Sequence, residues 1–115
     1  MNRDTQLKAL SKSLSELVGI LRLDESCQWL GHFEASLRET NRLIEKGFGS
    51  DQLGDLSGSV MYVYAGAGSF NDYFPATFDS ASGRFIGIPG TENFERLSKE
   101  VYDHALSLRV IRTGA

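Results

Sequence analysis

Hydrophobic residues at the start of the chain recur every three or four positions. Five leucines between residues 4 and 23 follow this spacing: Leu7, Leu10, Leu14, Leu17 and Leu21. They form one apolar stripe along a predicted helix. The stripe covers about two and a half heptads, fewer than the roughly three to four that indicate a coiled coil. Packing inside one domain is therefore favoured over a coiled-coil dimer.

The next apolar positions predict a second helix, antiparallel to the first. Asp24 can accept hydrogen bonds from the free N–H groups at its start, and Lys46 followed by Gly47 marks its end. Its apolar face comprises Cys27, Trp29, Leu30, Phe33, Leu37 and Ile44. Thr40 and Asn41 interrupt this face, so the helix either leaves the core there or presents a polar patch.

A third helix and an irregular segment are predicted for the middle of the chain. Residues 60–64 have strand propensity, but apolar positions across residues 50–66 follow helical spacing, and we predict a helix. Further on, Gly83 separates Phe78 from Phe85, with a proline on either side. This pattern predicts a small hairpin or an ordered loop, whose aromatic side chains pack against the core.

The last predicted element is a helix capped by Thr91 and running from Glu92 to about Arg109. Its inward positions are Phe94, Leu97, Val101, Ala105 and Leu108. Residues 110–115 are expected to fray. The fold prediction is therefore mainly α: one domain over residues 1–115, a small bundle of about four helices with an irregular loop or small hairpin before the last.

Length and composition fit one globular domain. The chain has 115 residues, of which 41% are hydrophobic and 23% charged, a balance typical of a folded protein. The formal charge of −3 and the pI near 5.3 argue against a general nucleic-acid binder, because phosphate contacts require clustered Lys and Arg. A protein partner with a basic or neutral surface fits this charge better.

Cysteine content and hydropathy predict a cytoplasmic protein. Cys27 is the only cysteine, so no internal disulfide forms and no framework suits an oxidising compartment. No apolar run approaches the roughly 20 residues needed to cross a bilayer. The first residues are polar and lack the hydrophobic region of a signal peptide. We therefore expect neither export nor a membrane partner.

A glycine-containing loop, Y-A-G-A-G-S-F-N-D-Y-F at residues 64–74, is the most distinctive segment. Gly66 and Gly68 begin a G-x-G pattern, but Asn71 stands where the third glycine of a dinucleotide site belongs. No Lys-Ser or Lys-Thr follows to make a P-loop. The sequence therefore argues against a phosphate site.

A structural role explains the same loop. Gly66 and Gly68 can adopt positive φ to end the third helix, after which Ser69 caps a new turn and Asp72 completes an S-x-x-D capping box. The aromatic residues then either anchor the turn to the core or form an exposed patch that suits recognition. They are Phe70, Tyr73 and Phe74.

The segment Y-V-Y-A-G-A-G-S-F-N-D-Y-F resembles the Y/F-G-G-M-G-S-F-N-D-L segment of a family of short uncharacterised bacterial proteins. Members of that family also have a preceding leucine-rich helical pair and a closing helix similar to residues 100–105. Ala65 and Ala67 differ from the family's glycine and methionine. The resemblance implies no catalytic residues. It also implies a role as an immunity protein beside a bacterial toxin, since similar small acidic proteins often have that role.

Side chains that carry chemistry do not form a recognisable catalytic or metal set. Cys27 lies on a predicted apolar face, where an inert thiol is favoured over a nucleophile. His32 and His104 are the only histidines, and no zinc motif includes them. Four aspartates lie in the central third: Asp51, Asp55, Asp72 and Asp79. Solvated faces and helix caps explain them at least as well as an acid–base pair does.

We therefore predict a non-catalytic binding protein without cofactor or metal, an immunity protein that neutralises a cognate toxin by covering it. The predicted partner contacts are acidic and aromatic positions: Asp51, Asp55, Tyr62, Tyr64, Phe70, Asp72 and Tyr73. Aromatic anchors would supply affinity, and carboxylates would steer a basic partner. The chain itself is expected to be a monomer or weak homodimer. The alternatives are a small hydrolase using Asp72 with Asp51 or Asp55, and a structural homodimer built on the first helix.

Overall fold

The computed structural model describes residues 2–66 and 68–109, and it is mainly helical. Its elements are α1 (Arg3–Leu21), α2 (Leu30–Lys46), α3 (Ser50–Met61), β1 (Ala76–Asp79), β2 (Arg84–Gly87) and α4 (Phe94–Arg109). Four helices with a small antiparallel hairpin before the last one confirm the predicted fold class. None of the helices among these residues is both long and apolar enough to span a bilayer.

Helix α1 is the centre of the bundle and packs against α2 and α4. It begins at Asn2, whose side chain accepts a hydrogen bond from the Thr5 N–H at 2.7 Å. All five leucines of the predicted stripe are completely buried. The stripe therefore packs within the domain, as predicted, and leaves no leucine seam exposed for the homodimer considered from the sequence.

Helix α2 ends as predicted but begins later. Gly47 has φ 97° and follows the last helical residue. The prediction that Asp24 caps this helix is wrong, because its carboxylate accepts bonds from the backbone N–H and hydroxyl of Ser26 at 3.0 and 2.8 Å. Those bonds shape a separate turn, and α2 starts only at Leu30.

The polar interruption of α2 has a different explanation at each position. Thr40 is completely buried, and its hydroxyl donates to the Ser36 carbonyl oxygen at 2.8 Å. A hydroxyl bonded within its own helix can enter a core without an unsatisfied polar group. Asn41 is exposed and accepts a hydrogen bond from Ser11 of α1. The helix therefore stays in the core at Thr40, and Asn41 links it to its neighbour.

The region that was ambiguous between helix and strand is helical. Helix α3 continues into a single 3₁₀ turn at Tyr62–Tyr64, which confirms the helical prediction. Helix α4 also forms, and its five predicted inward residues are buried. It starts at Phe94, later than predicted and three residues after Thr91, whose hydroxyl donates to the Ile88 carbonyl oxygen at 2.6 Å. Residues 110–115, expected to fray, lie outside the described residues.

The hairpin forms, but its aromatic side chains do not pack against the core as predicted. Phe78 pairs with Phe85 across the strands, and their ring centroids are 5.4 Å apart. Both rings are exposed, Phe85 by 71%. Among the described residues, no Cα atom of either strand lies within 8 Å of a Cα atom of a helix. The two rings therefore pack on each other and border a cavity at the turn between α1 and α2, and neither belongs to the hydrophobic core.

Replacing Phe85 by Ser should change the stability of the protein little. The ring is mainly exposed, and its aromatic contact is the cross-strand pair with Phe78, which contributes about 0.2–1 kcal/mol. Urea unfolding monitored by circular dichroism should give a free energy of unfolding within about 1 kcal/mol of the wild type. A loss above about 2 kcal/mol would mean that the hairpin packs against the helices in solution.

Candidate functional site

The loop after α3 is organised by its own backbone and side chains. Gly66 and Gly68 have φ 90° and 74°, as predicted from their position after a helix. The Ser69 hydroxyl accepts a hydrogen bond from the Asn71 N–H at 3.2 Å and caps a 3₁₀ turn at Phe70–Asp72. The predicted cap at Ser69 is therefore confirmed.

Two further side chains close the loop. The Asp72 carboxylate accepts from the Gly68 N–H at 2.6 Å, so it does not bond the N–H of Ser69 as the predicted capping box required. The Asn71 amide donates to the carbonyl oxygen of Tyr64, which ties the end of the loop to its beginning. Each residue of the S-F-N-D motif other than the phenylalanine thus bonds a backbone group of the loop.

These bonds leave the loop poorly suited to a phosphate. The N–H of Gly68 donates to Asp72, that of Ser69 to the Gly66 carbonyl oxygen, and that of Asn71 to the Ser69 hydroxyl. An anion site requires several unused N–H groups that converge on one point. The carboxylate beside them would also repel a phosphate.

Beneath the loop lies a cluster of aromatic rings centred on Phe70, which is only 1% exposed. Its ring centroid lies 4.7–6.0 Å from those of five other aromatic residues: Trp29, Phe33, Tyr64, Tyr73 and Phe94. These edge-to-face, tilted and stacked arrangements are favourable for aromatic pairs. The loop is therefore fixed to the core by its central residue.

Tyr64 is also part of this core. Its ring is buried, and its hydroxyl donates to the Ser98 carbonyl oxygen of α4 at 2.8 Å. Burial, assisted by the nearby Asp103 carboxylate, raises the pKa of Tyr64 to about 12. Tyr64 and Phe70 were predicted partner contacts, and the structure corrects this: both side chains are covered, so they support the loop from below.

Tyr73 is half-buried and connects the loop to the turn before α2. Its hydroxyl donates to the Asp24 carboxylate at 2.6 Å. Burial and this carboxylate raise the pKa of Tyr73. Burial alone would raise the pKa of Asp24, but the hydrogen bonds from Tyr73 and Ser26 outweigh it and hold that pKa below its ordinary value. The pair therefore consists of a neutral phenol and an ionised carboxylate.

Two exposed aromatic side chains flank the loop on either side. Tyr62, at the start of the 3₁₀ turn that leads into the loop, is 82% exposed, and Phe74, the last residue of the loop, is 60% exposed. A cavity of about 600 Å³ lies beside Tyr62, and another of about 470 Å³ lies between Phe74 and α4. We call the described part of the loop (residues 64–66 and 68–74), these two cavities and Tyr62 the loop surface.

The predicted carboxylate contacts lie at separate places. Asp51 and Asp55 are exposed one turn apart on α3, and Asp55 borders a cavity between α2 and α3. Asp72 bonds the loop backbone, and Asp79 accepts from the Ser82 N–H at the hairpin turn. The four aspartates therefore belong to three local structures: α3, the loop and the hairpin turn. The alternative of a hydrolase would require Asp72 of the loop to act together with Asp51 or Asp55 of α3.

The single thiol and the first histidine also have structural surroundings. Cys27 is half-buried and packs against the core. His32 Nε2 lies 3.5 Å from the Val60 carbonyl oxygen, and burial lowers the pKa of this imidazole. Within the described ranges, no three His, Cys, Asp or Glu side chains are grouped as metal ligands.

Sequence reasoning missed the contribution of α4 to the loop surface. Glu95, Lys99 and Tyr102 line the cavity beside Phe74, yet none was a candidate. Tyr102 follows the inward residue Val101 and lies at the edge of the apolar stripe, where an aromatic residue is half-covered. The position of Tyr102 beside the apolar stripe could have indicated a half-covered aromatic residue. The sequence does not show that the loop folds against Tyr102.

No protein-family model matches the chain, and no curated protein and no solved structure matches it. The resemblance of the loop to short bacterial proteins therefore stays a prediction.

Proposed function

We propose that this protein is a non-catalytic binding module, an immunity protein that neutralises a cognate bacterial toxin by direct contact through the loop surface. The observation that carries the proposal is the exposure of Tyr62 and Phe74 on either side of a loop closed by internal hydrogen bonds. Rigid aromatic side chains lose little conformational entropy on binding and are frequent anchors of protein interfaces.

The hydrogen bonds within the loop make it suitable for binding a partner. Asn71 and Asp72 hold its backbone, and Phe70 fixes it to the core. A surface that is already ordered loses little further conformational entropy when a partner binds. The loop surface is thus suited to tight association without a large conformational change.

Charge supports a partner with a basic surface. The chain carries a formal charge of −3, and Asp51, Asp55 and Asp72 are exposed. Carboxylates at the rim of an interface mainly accelerate association with a positively charged partner and contribute less to affinity. We assign steering to these aspartates, and anchoring to Tyr62, Phe74 and the half-buried Tyr73.

Replacing Tyr62 and Phe74 together by Ala should abolish protection while leaving the fold intact. Cells that express a toxin encoded beside this gene should survive with the wild-type protein and die with the double variant. Calorimetric titration of the purified toxin should show affinity at least about 100-fold weaker, since interface anchors each contribute about 2 kcal/mol or more. Both side chains are mainly exposed, so thermal unfolding should change little.

Phe85→Ala is the matched control, because it removes a similarly exposed aromatic ring from the hairpin, outside the loop surface. It should protect cells and bind the toxin as the wild type does. The proposal is wrong if the double variant binds and protects with unchanged affinity, or if the wild-type protein binds no toxin encoded beside its gene.

A further inference from the structure

The smaller cavity of the loop surface combines aromatic walls with charged groups. Its volume is about 470 Å³, and it opens between the loop and α4. Buried rings, including Phe70 and Phe94, form its floor, and the more accessible Tyr73, Phe74 and Tyr102 form its walls. Faces of aromatic rings carry partial negative charge and attract cations.

The carboxylates of this cavity are not all neutralised. Lys99 forms an ion pair with Asp103 at 2.7 Å, which uses the one ammonium group that lines the cavity. Glu95 also lines it, is exposed, and has no ion pair or hydrogen bond with any described residue. The lining thus carries two carboxylates and one ammonium, a net charge of −1, and Glu95 is the carboxylate without an ion pair among the described residues.

We propose that this cavity receives the guanidinium group of an arginine side chain from the toxin. The inference rests on the proposed function and names the chemistry of the partner at the loop surface. A planar guanidinium stacks on the faces of Phe74 and Tyr102 while its N–H groups bond the Glu95 carboxylate in a forked geometry. An ammonium group offers neither the stacking nor the fork, so arginine is preferred to lysine.

Other occupants fit the cavity less well. An apolar side chain would remove water from Glu95 and from the Lys99–Asp103 pair without replacing their hydrogen bonds, which is unfavourable. An anion would be repelled by the net charge of the lining. A cation satisfies the free carboxylate and the ring faces together, and the acidic chain as a whole favours its approach.

The inference can be tested without the toxin, using Nα-acetyl-arginine N-methylamide as the probe. Its neutral isostere, Nα-acetyl-citrulline N-methylamide, has almost the same shape but no charge. In an NMR titration of the isotope-labelled protein, the arginine probe should shift the ring signals of Phe74 and Tyr102 and the backbone signals of α4 near Glu95. It should bind in the millimolar range, at least about fivefold more tightly than the citrulline probe.

Three variants test the assignment of the groups. Glu95→Gln keeps the size of the side chain but removes its charge, and should weaken binding of the arginine probe about fivefold. Lys99→Met removes the competing ammonium and should strengthen the same binding about twofold or more. Glu16→Gln on α1 is the matched control, because Glu16 is exposed and does not line this cavity, and it should leave binding unchanged.

Several outcomes would overturn the inference. Equal binding of the citrulline probe, unchanged affinity of Glu95→Gln, or no shifts with the arginine probe at about 50 mM would each exclude a guanidinium site. These results would leave the proposed function standing if the toxin still binds through Tyr62 and Phe74. Conversely, a confirmed site with no toxin binding would exclude the immunity role and retain the cation site.

Discussion

Phe70→Ala should destabilise the protein by about 3–5 kcal/mol, a large share of the stability of a small domain. The ring is 1% exposed and touches five other aromatic rings, so its removal leaves a cavity where residues from α2, the loop and α4 meet. The surrounding rings are too rigid to fill that space. Urea unfolding, followed by circular dichroism, should show a lower midpoint with an unchanged slope.

Phe74→Ala is the matched control for this prediction, because it removes the same side chain four residues further on from a position that is 60% exposed. Its effect on the free energy of unfolding should stay within about 1 kcal/mol. Similar losses in the two variants would contradict the assignment of Phe70 to the core and Phe74 to the surface. The pair also separates folding from binding, since only Phe74 is proposed to contact the partner.

The helices could be predicted from the sequence because each has its own periodic apolar stripe. The five leucines of α1 and the five inward residues of α4 are all buried. Such a stripe indicates which residues are buried, because the apolar face of a helix must pack against another element. The boundaries at Asp24 and Thr91 were less predictable, because each side chain has another hydrogen-bond partner available through the tertiary structure or the preceding turn.

The direction of the aromatic side chains could not be predicted. Phe70 and Phe85 are the same residue type in segments of similar polarity, yet one lies at the centre of the core and the other is 71% exposed. Neither segment has a period that distinguishes a buried face from an exposed one. Burial there depends on where the segment lies relative to the helices, which only the folded structure shows.

The candidate site depends on the same distinction. The sequence identified the loop and two of its exposed features, Tyr62 and Asp72, but also selected Tyr64 and Phe70, which lie in the core. It did not identify Glu95, because nothing in the sequence distinguishes it from the other two carboxylates of α4, Glu100 and Asp103. Glu95 became a candidate only in the folded structure, where it lines the cavity beside Phe74 and has no ion pair with a described residue.

Asp24→Ala should destabilise the protein by about 2–3 kcal/mol at neutral pH, because it leaves the Tyr73 hydroxyl and the Ser26 groups without their acceptor. Asp24 is itself buried and ionised in the folded state. The bond between Tyr73 and Asp24 joins the loop to the turn before α2, so the loop surface should also lose part of its order. Urea unfolding at pH 7 measures the cost.

The same substitution should change how stability responds to acid. Because the folded pKa of Asp24 is lowered, the stabilisation from its charge is complete above its unfolded pKa of about 4 and is lost as the pH falls through the folded value. The difference in the free energy of unfolding between wild type and variant should therefore shrink below about pH 4.

Tyr73→Phe removes the hydroxyl that donates to Asp24 at 2.6 Å while keeping the ring. A double-mutant cycle of Tyr73→Phe with Asp24→Ala should give a coupling energy of at least about 1 kcal/mol at pH 7. Additive effects would show that the bond between these side chains contributes nothing to the fold. A constant difference between wild type and Asp24→Ala down to pH 2 would show that folding does not lower the pKa of this carboxylate.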